Sequence, residues 1–169
     1  MPLDVIQAIM SRRSNRVYEP KPVSEGDLHT ILEAGRQAPS ANNRQPWHFV
    51  VVRDPDQKRK VAEACCQQNW MADAGVIIAG LGKVKAPGFQ VDVAIAMQNM
   101  ILAATGFGYG TCWIGAFEQQ QVKRILEVPD DLEVVALTPV GVSADRPDAR
   151  ARQPMSELAS LDRYGQRFV

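Results

Sequence analysis

The strongest regular pattern in this chain lies in residues 90–105, where apolar side chains recur at the spacing of an α-helix. Val93, Met97, Ile101 and Ala104 form one stripe along it. The alanines beside that stripe are small enough to let a second helix approach closely. A helix of this kind belongs in the middle of a fold or at a contact between subunits.

The rest of the chain alternates between helical and strand patterns. Asp4 and Ser24 are placed to cap two of the helices. Helices are predicted at residues 4–11, 24–39, 55–68, 90–105, 119–126 and 155–161, and strands at residues 48–52, 75–81, 111–114 and 133–142. Such alternation would by itself suggest a parallel sheet. The glycines of residues 106–110 are interpreted as a helix end and turn, because a dinucleotide-binding fingerprint needs a preceding strand and a following helix.

The length and charge of the chain limit the functions that it can have. A chain of 169 residues most simply forms one domain, residues 1–169, with a sizeable core. Its 19 basic and 19 acidic residues cancel, so a nucleic-acid partner is not expected. No apolar run approaches the roughly 20 residues of a membrane helix, and the N-terminus lacks the pattern of a signal peptide. We therefore expect a cytoplasmic protein without a membrane partner.

The three cysteines and two histidines do not form a metal-binding pattern. Cys65, Cys66 and Cys112 have neither the paired spacing of a zinc site nor the even count of a disulfide framework. We interpret them as reduced thiols, with Cys65 packed in the core. The chain also lacks a Walker lysine loop, a serine elbow and a carboxylate cluster for a divalent metal. If the protein is an enzyme, its reactive group is expected to come with a cofactor.

Two arginine clusters suggest that such a cofactor would carry a phosphate group. Arg12, Arg13 and Arg16 fall within five residues at the end of the first predicted helix, and Arg150 and Arg152 lie in a late loop. Guanidinium groups suit phosphate oxygens, and each charge-assisted hydrogen bond contributes about 1.5–3 kcal/mol. The alternative is a solvated helix end, since cations near a helix C-terminus are mildly favourable without any ligand.

The sequence resembles the nitroreductase family of FMN-dependent oxidoreductases. The resemblance covers nearly the whole chain and rests on five segments in order. They are residues 12–16 (Arg-Arg-Ser-Asn-Arg), 38–47 (Ala-Pro-Ser-Ala-Asn-Asn-Arg-Gln-Pro-Trp), 73–74 (Asp-Ala), 108–115 (Gly-Tyr-Gly-Thr-Cys-Trp-Ile-Gly) and 150–152 (Arg-Ala-Arg). Each segment is weakly specific alone, and the order and spacing of all five make the resemblance specific.

The resemblance implies an α+β fold with a mostly antiparallel central sheet flanked by helices, in an intertwined homodimer. The FMN sites would lie at the subunit interface. The C-terminal tail, with Tyr164 and Phe168, is a candidate for docking on the other subunit. Only a short loop, residues 82–88, stands where larger relatives carry helices over the substrate, so we expect an open site.

The resemblance also implies which residues bind FMN. Arg12, Arg150 and Arg152 would hold the phosphate, and Arg13 and Ser14 would lie along the ribityl chain. The remaining implied residues are Arg16 near the pyrimidine end, Gln67 or Gln68 at its polar edge, Pro39, Ser40, Ala41 and Asn43 beside the isoalloxazine from the second subunit, Gln45 supporting that loop, and Ile114, Gly115 and Ala116 at the N5 edge.

The implied activity is a ping-pong reaction in which NADH or NADPH reduces FMN, and a small acceptor such as a nitroaromatic or quinone then takes the electrons. No protein acid or base is required. One alternative is a flavin-binding protein of the same fold that does not turn over nicotinamide and serves in flavin storage, sensing or consumption. Another is a structural domain whose arginines are merely solvated.

Overall fold

The computed structural model describes residues 3–168. The helices are α1 (Val5–Ser11), α2 (Glu25–Arg36), α3 (Pro55–Ala64), α4 (Phe89–Gly106), α5 (Gln119–Ile125) and α6 (Met155–Leu158), and the strands are β1 (Trp47–Val52), β2 (Val76–Lys83), β3 (Gly110–Thr111) and β4 (Leu132–Gly141). Two short 3₁₀ helices lie at Ala41–Asn43 and Asn69–Asp73.

The four strands form one sheet in the order β1-β2-β4-β3, and every neighbouring pair is antiparallel. The α+β class with an antiparallel central sheet is therefore confirmed, against the parallel sheet that alternation alone suggests. A register shift between Gly80 and Leu81 marks an irregularity in the pairing of β2 with β4.

Helices cover both faces of the sheet. Along β2, Ile77 and Leu81 pack into one core with Val61 of α3 and Val122 of α5. Val76 and Ile78 pack into a second core with Ile31 of α2 and Met97 of α4. Successive side chains of a strand point to opposite faces, so a strand covered on both sides reads as a continuous apolar run. The sheet is thus the middle layer of three.

The helix caps follow the sequence. Asp4 accepts a hydrogen bond from the Gln7 amide, and the Gln7 side chain accepts one from the Asp4 amide, which completes a capping box on α1. Ser24 caps α2 through the Asp27 amide. The long helix α4 packs between α2 and the sheet, as its alanine-rich stripe predicts. Gly108 has a φ of 87°, in the left-handed region expected of a glycine just after a helix.

Four predicted boundaries are wrong. The helix predicted at residues 24–39 ends at Arg36, and Gln37 is its C-cap. The helix predicted at residues 55–68 ends at Ala64, because Cys66 and Gln67 adopt left-handed φ values of 54° and 58°. The strand predicted at residues 111–114 is only Gly110–Thr111, and Ile114 forms an isolated bridge with Leu137. The last helix stops at Leu158 and does not reach residue 161.

Helix α1 leaves most of its apolar side chains in solvent. Val5 and Ile6 are 63% and 64% exposed, and within α1 only Ala8 is buried. Tyr164 in the C-terminal tail is fully exposed. An exposed apolar helix face commonly marks a contact with another molecule. None of the helices within residues 3–168 has the length and hydropathy needed to cross a membrane.

Candidate functional site

A cavity of about 590 Å³ brings the two arginine clusters together. We call it the arginine cavity, and it lies where the end of α1, the middle of α4 and the loop after β4 meet. Its lining residues are Ile9, Met10, Arg12, Arg13, Ser14, Arg16, Gln98, Leu102, Pro147, Asp148, Ala149, Arg150 and Arg152. Arginines more than 130 positions apart in the sequence therefore face one space.

Asn15 joins the two segments that carry these arginines. Its amide N–H donates to the Thr111 carbonyl over 2.9 Å. Its side-chain amide donates to Ser143 Oγ at 2.7 Å and to Asp145 Oδ1 at 2.9 Å. Asn15 is only 8% exposed, so this network is shielded from water. Asn15 is not among the residues predicted to bind FMN, and its only signal in the sequence is its position between arginines.

Asp145 takes part in that network and does not neutralise the arginines. Burial raises the pKa of its carboxyl group, but hydrogen bonds from Asn15 and Ser143 outweigh burial and hold it below the ordinary value. The amide N–H of Arg16 also donates to Asp145 Oδ2, at 3.3 Å. The carboxylate is thus ionised and serves to fix the backbone of the basic segment.

The arginine cavity carries an excess of positive charge. Asp148 is the only acidic residue among those that line it. Within residues 3–168, none of its five arginines lies within ion-pair distance of a carboxylate, whereas Arg36, Arg53 and Arg59 elsewhere are paired. Unneutralised guanidinium groups around a concave space favour a multiply charged anion.

Arg13 is partly explained without a ligand. Its Nη1 donates to the carbonyls of Met10 and Arg12, both at 2.9 Å, and so caps the C-terminal end of α1. The alternative of a solvated helix end therefore accounts for this arginine. It does not account for Arg150 and Arg152, which precede α6 and therefore do not lie at a helix C-terminus.

Arg16 connects the arginine cavity to an aromatic pair. Its Cζ lies 6.0 Å from the ring centroid of Trp70, and Trp70 stacks with Tyr18 at a centroid distance of 6.4 Å and an interplanar angle of 19°. Burial raises the pKa of Tyr18 far above its ordinary value, so its hydroxyl remains a donor, to the Asn15 carbonyl at 3.0 Å.

Cys112 lies against the same segment. It is buried, and burial raises the pKa of its thiol, while Arg16, Ser14 and Arg12 partly offset this effect. A buried thiol with a raised pKa is little ionised, which fits a packing role.

The segment with Gln67 and Gln68 contacts the segment of residues 114–116. Gln68 Nε2 donates to the Cys65 carbonyl at 2.9 Å and to the Ala116 carbonyl at 3.4 Å. Ile114 donates its N–H to Leu137 over 2.9 Å, so that N–H is not free to meet a ligand. Gly115 and Ala116 are exposed residues, and their amides form no backbone hydrogen bond within residues 3–168. Ile114, Gly115 and Ala116 are all predicted to lie at the N5 edge. Of these, Gly115 and Ala116 have a backbone N–H group that is open, meaning that it has no backbone partner.

The turn that carries Pro39, Ser40, Ala41, Asn43 and Gln45 does not line the arginine cavity of its own chain. Asn42, Asn43 and Gln45 adopt φ values of 51°, 53° and 47°. The Gln45 amide donates to Ser40 Oγ at 2.9 Å, its side chain donates to Asn43 Oδ1 at 3.1 Å, and the Ala41 amide donates to Asp92 Oδ1 at 3.2 Å. The turn is therefore preformed, with Gln45 supporting it.

The described residues contain no group of three or more histidine, cysteine, aspartate or glutamate side chains that could hold a metal ion. An antiparallel sheet between helical layers, with an arginine-lined cavity beside it, defines an α+β protein whose site suits a phosphate-bearing ligand.

Comparison with known proteins identifies the family. The model of the nitroreductase family matches residues 9–76 and 65–142. A Thermus thermophilus protein named NADH dehydrogenase is 32% identical, with 92% of this chain and 95% of that protein covered. The crystal structure of a nitroreductase family protein from Clostridium novyi has a TM-score of 0.81 at 31% identity, with 98% of this chain and 97% of that chain covered. The protein belongs to the nitroreductase family.

A further relative bears on the ligand. A Bacillus subtilis protein named FMN reductase (NAD(P)H) is 28% identical to this chain, with 95% of this chain and 74% of that protein covered.

Proposed function

We propose that this protein is an FMN-dependent NAD(P)H oxidoreductase that reduces small acceptors, such as nitroaromatics or quinones, by a ping-pong reaction. The observation that carries the proposal is the convergence of five arginines on one cavity, with no carboxylate partner for any of them among residues 3–168. The family assignment and the FMN reductase among the relatives support the choice of ligand. Residues 1–169 would form one FMN-binding domain.

The arginine cavity fits the phosphate end of FMN. Arg12, Arg150 and Arg152 would bind the phosphate, and Arg13 and Ser14 would border the ribityl chain. A phosphate monoester carries close to two negative charges at neutral pH and offers three acceptor oxygens. Bidentate guanidinium contacts of this kind are among the strongest hydrogen bonds in proteins.

The ring end of the ligand would extend from the arginine cavity past Arg16. Gln67 and Gln68 would face the pyrimidine, and the open amides of Gly115 and Ala116 would meet the N5 edge. Bound FMN would supply the redox chemistry by accepting and returning a hydride at N5. The protein would contribute binding, orientation and a positive field, so none of its side chains needs to act as an acid or base.

The site would be completed by a second copy of the chain in a homodimer. The preformed turn with Pro39, Ser40, Ala41 and Asn43 does not line the arginine cavity of its own subunit. In a dimer it would border the isoalloxazine of the partner. The exposed apolar face of α1 offers a surface for such an association.

The purified protein provides the test. We expect a yellow protein with flavin absorption bands, and anaerobic addition of NADH or NADPH should bleach them rapidly. A colourless protein that ignores added FMN would contradict the proposal and favour solvated arginines. Flavin that binds but stays oxidised with both nucleotides would instead indicate a flavin-binding protein without nicotinamide turnover.

A further inference from the structure

We propose that Trp70 is a positioning residue, which holds the guanidinium group of Arg16 in place to meet the pyrimidine end of the flavin. This inference rests on the proposed function. It adds a residue that contacts no ligand itself and acts through Arg16.

The contacts of Arg16 are few, and Trp70 supplies the main one. The Arg16 side chain has no carboxylate within ion-pair distance among residues 3–168, and its one side-chain hydrogen bond, to the Ser14 carbonyl, is long at 3.4 Å. The Trp70 ring lies beneath its Cζ at 6.0 Å. Tryptophan is the most favourable ring for a cation–π contact, and such contacts reach about 6 Å. Without the indole, this exposed side chain would be free to adopt many rotamers.

Trp70 is itself held firmly enough to position a neighbour. One face of its ring stacks on Tyr18, whose hydroxyl is anchored on the Asn15 carbonyl. Trp70 also packs against the core shared by α3 and α5, next to the fully buried Met71. The guanidinium group therefore rests on a ring that is fixed by contacts with two separate parts of the chain.

The location of Trp70 matters because it joins two parts of the proposed site. It lies in the short 3₁₀ helix Asn69–Asp73, directly after the turn with Gln67 and Gln68. Arg16 also lines the arginine cavity. The contact between Arg16 and Trp70 thus fixes the phosphate-binding segment relative to the residues proposed for the pyrimidine. A guanidinium held in place before the ligand arrives loses less freedom on binding.

A double-mutant cycle on the full-length protein tests this role. The variants are Trp70→Leu, Arg16→Gln and both together, with FMN affinity measured by quenching of flavin fluorescence. An exposed cation–π contact shifts an equilibrium by about two- to fivefold. We expect Trp70→Leu to weaken FMN binding by about that factor when Arg16 is present and to have little further effect when Arg16 is already replaced.

A second readout is the midpoint potential of the bound flavin. A cation near the pyrimidine stabilises the negative charge of the reduced ring, so displacing Arg16 should shift the potential to more negative values. Trp70→Leu should reproduce part of the shift caused by Arg16→Gln, and Trp70→Phe should restore part of it. Far-UV circular dichroism checks that each variant is folded. If Trp70→Leu folds poorly, Trp70→Phe takes its place in the same cycle.

Equal effects of the Trp70 substitution in both Arg16 backgrounds would overturn the inference, because Trp70 would then act only through core packing. An unchanged affinity and potential in Trp70→Leu would also overturn it. If the unsubstituted protein binds no FMN, the proposed function fails first, and this inference fails with it.

Discussion

Three of the five arginines around the cavity each make a different contact within the chain. Arg12 ends α1, with its amide bonded to the Ala8 carbonyl. Arg13 donates to backbone carbonyls at the same helix end. Arg16 rests on the face of Trp70. Because none of these contacts uses a carboxylate, the positive charge remains available to a ligand.

Removing two arginines from opposite ends of the chain should show whether they share one phosphate. For Arg12→Ala combined with Arg152→Ala, we expect FMN affinity to fall at least a hundredfold, about 3 kcal/mol, because two charge-assisted contacts are lost. Fluorescence titration measures the change. The control is Arg53→Ala with Arg59→Ala, which removes the same charge from exposed ion pairs and should leave affinity nearly unchanged. Equal affinity in both double variants would refute the shared phosphate.

Among the helices and strands, a close backbone contact fixes the end of β4 against residues 74–75, which precede β2. A Cβ on Gly141, the last residue of β4, would lie 2.8 Å from the Gly75 amide nitrogen and 3.2 Å from Ala74 Cα. Backbone atoms cannot rotate away as a flexible side chain can. By contrast, a Cβ on Gly26 in α2 would have no neighbour within 4 Å.

These two glycines give a matched pair of substitutions to alanine. Gly141→Ala should lower the free energy of unfolding by about 1–3 kcal/mol, because the backbone of residues 74–75 must shift. Gly26→Ala should raise it by up to about 1 kcal/mol, since alanine loses less freedom in a helix. Urea denaturation followed by circular dichroism measures both. A neutral Gly141→Ala variant would show that the end of β4 is loosely packed.

For the whole molecule, the proposed dimer depends on surfaces that one chain leaves open. Val5 and Ile6 are exposed in the first turn of α1 and do not line the arginine cavity. Acidic residues near a helix N-terminus favour the helix, so glutamate there should spare α1 itself. These positions therefore allow association to be tested separately from helix stability.

We expect Val5→Glu with Ile6→Glu to weaken dimer formation by about a hundredfold or more, because each buried apolar side chain contributes about 1.5–3 kcal/mol. Sedimentation velocity should show a dimer for the unsubstituted protein and a monomer for the variant, and FMN binding should weaken with dissociation. Gln120→Glu with Gln121→Glu, at the start of α5, is the matched control and should stay dimeric. A variant that remains a dimer would exclude α1 from the interface.

Several features of this protein follow from its sequence alone. The caps at Asp4 and Ser24, the buried stripe of α4 and the turn at Gly108 depend on residues within a few positions of one another, so local patterns specify them. The nitroreductase family also follows from the sequence, because its segments keep their order and spacing along the chain.

Only the tertiary structure decides the features that depend on distant residues. The left-handed Cys66 and Gln67 leave no periodic trace in the sequence. The contact of Arg16 with Trp70 and the Asn15 network leave none either, since both depend on groups that folding brings together. The antiparallel order of the strands is equally invisible to local alternation. Helical spacing predicts α1 correctly but cannot tell that its apolar face is left exposed, because exposure depends on what packs against it.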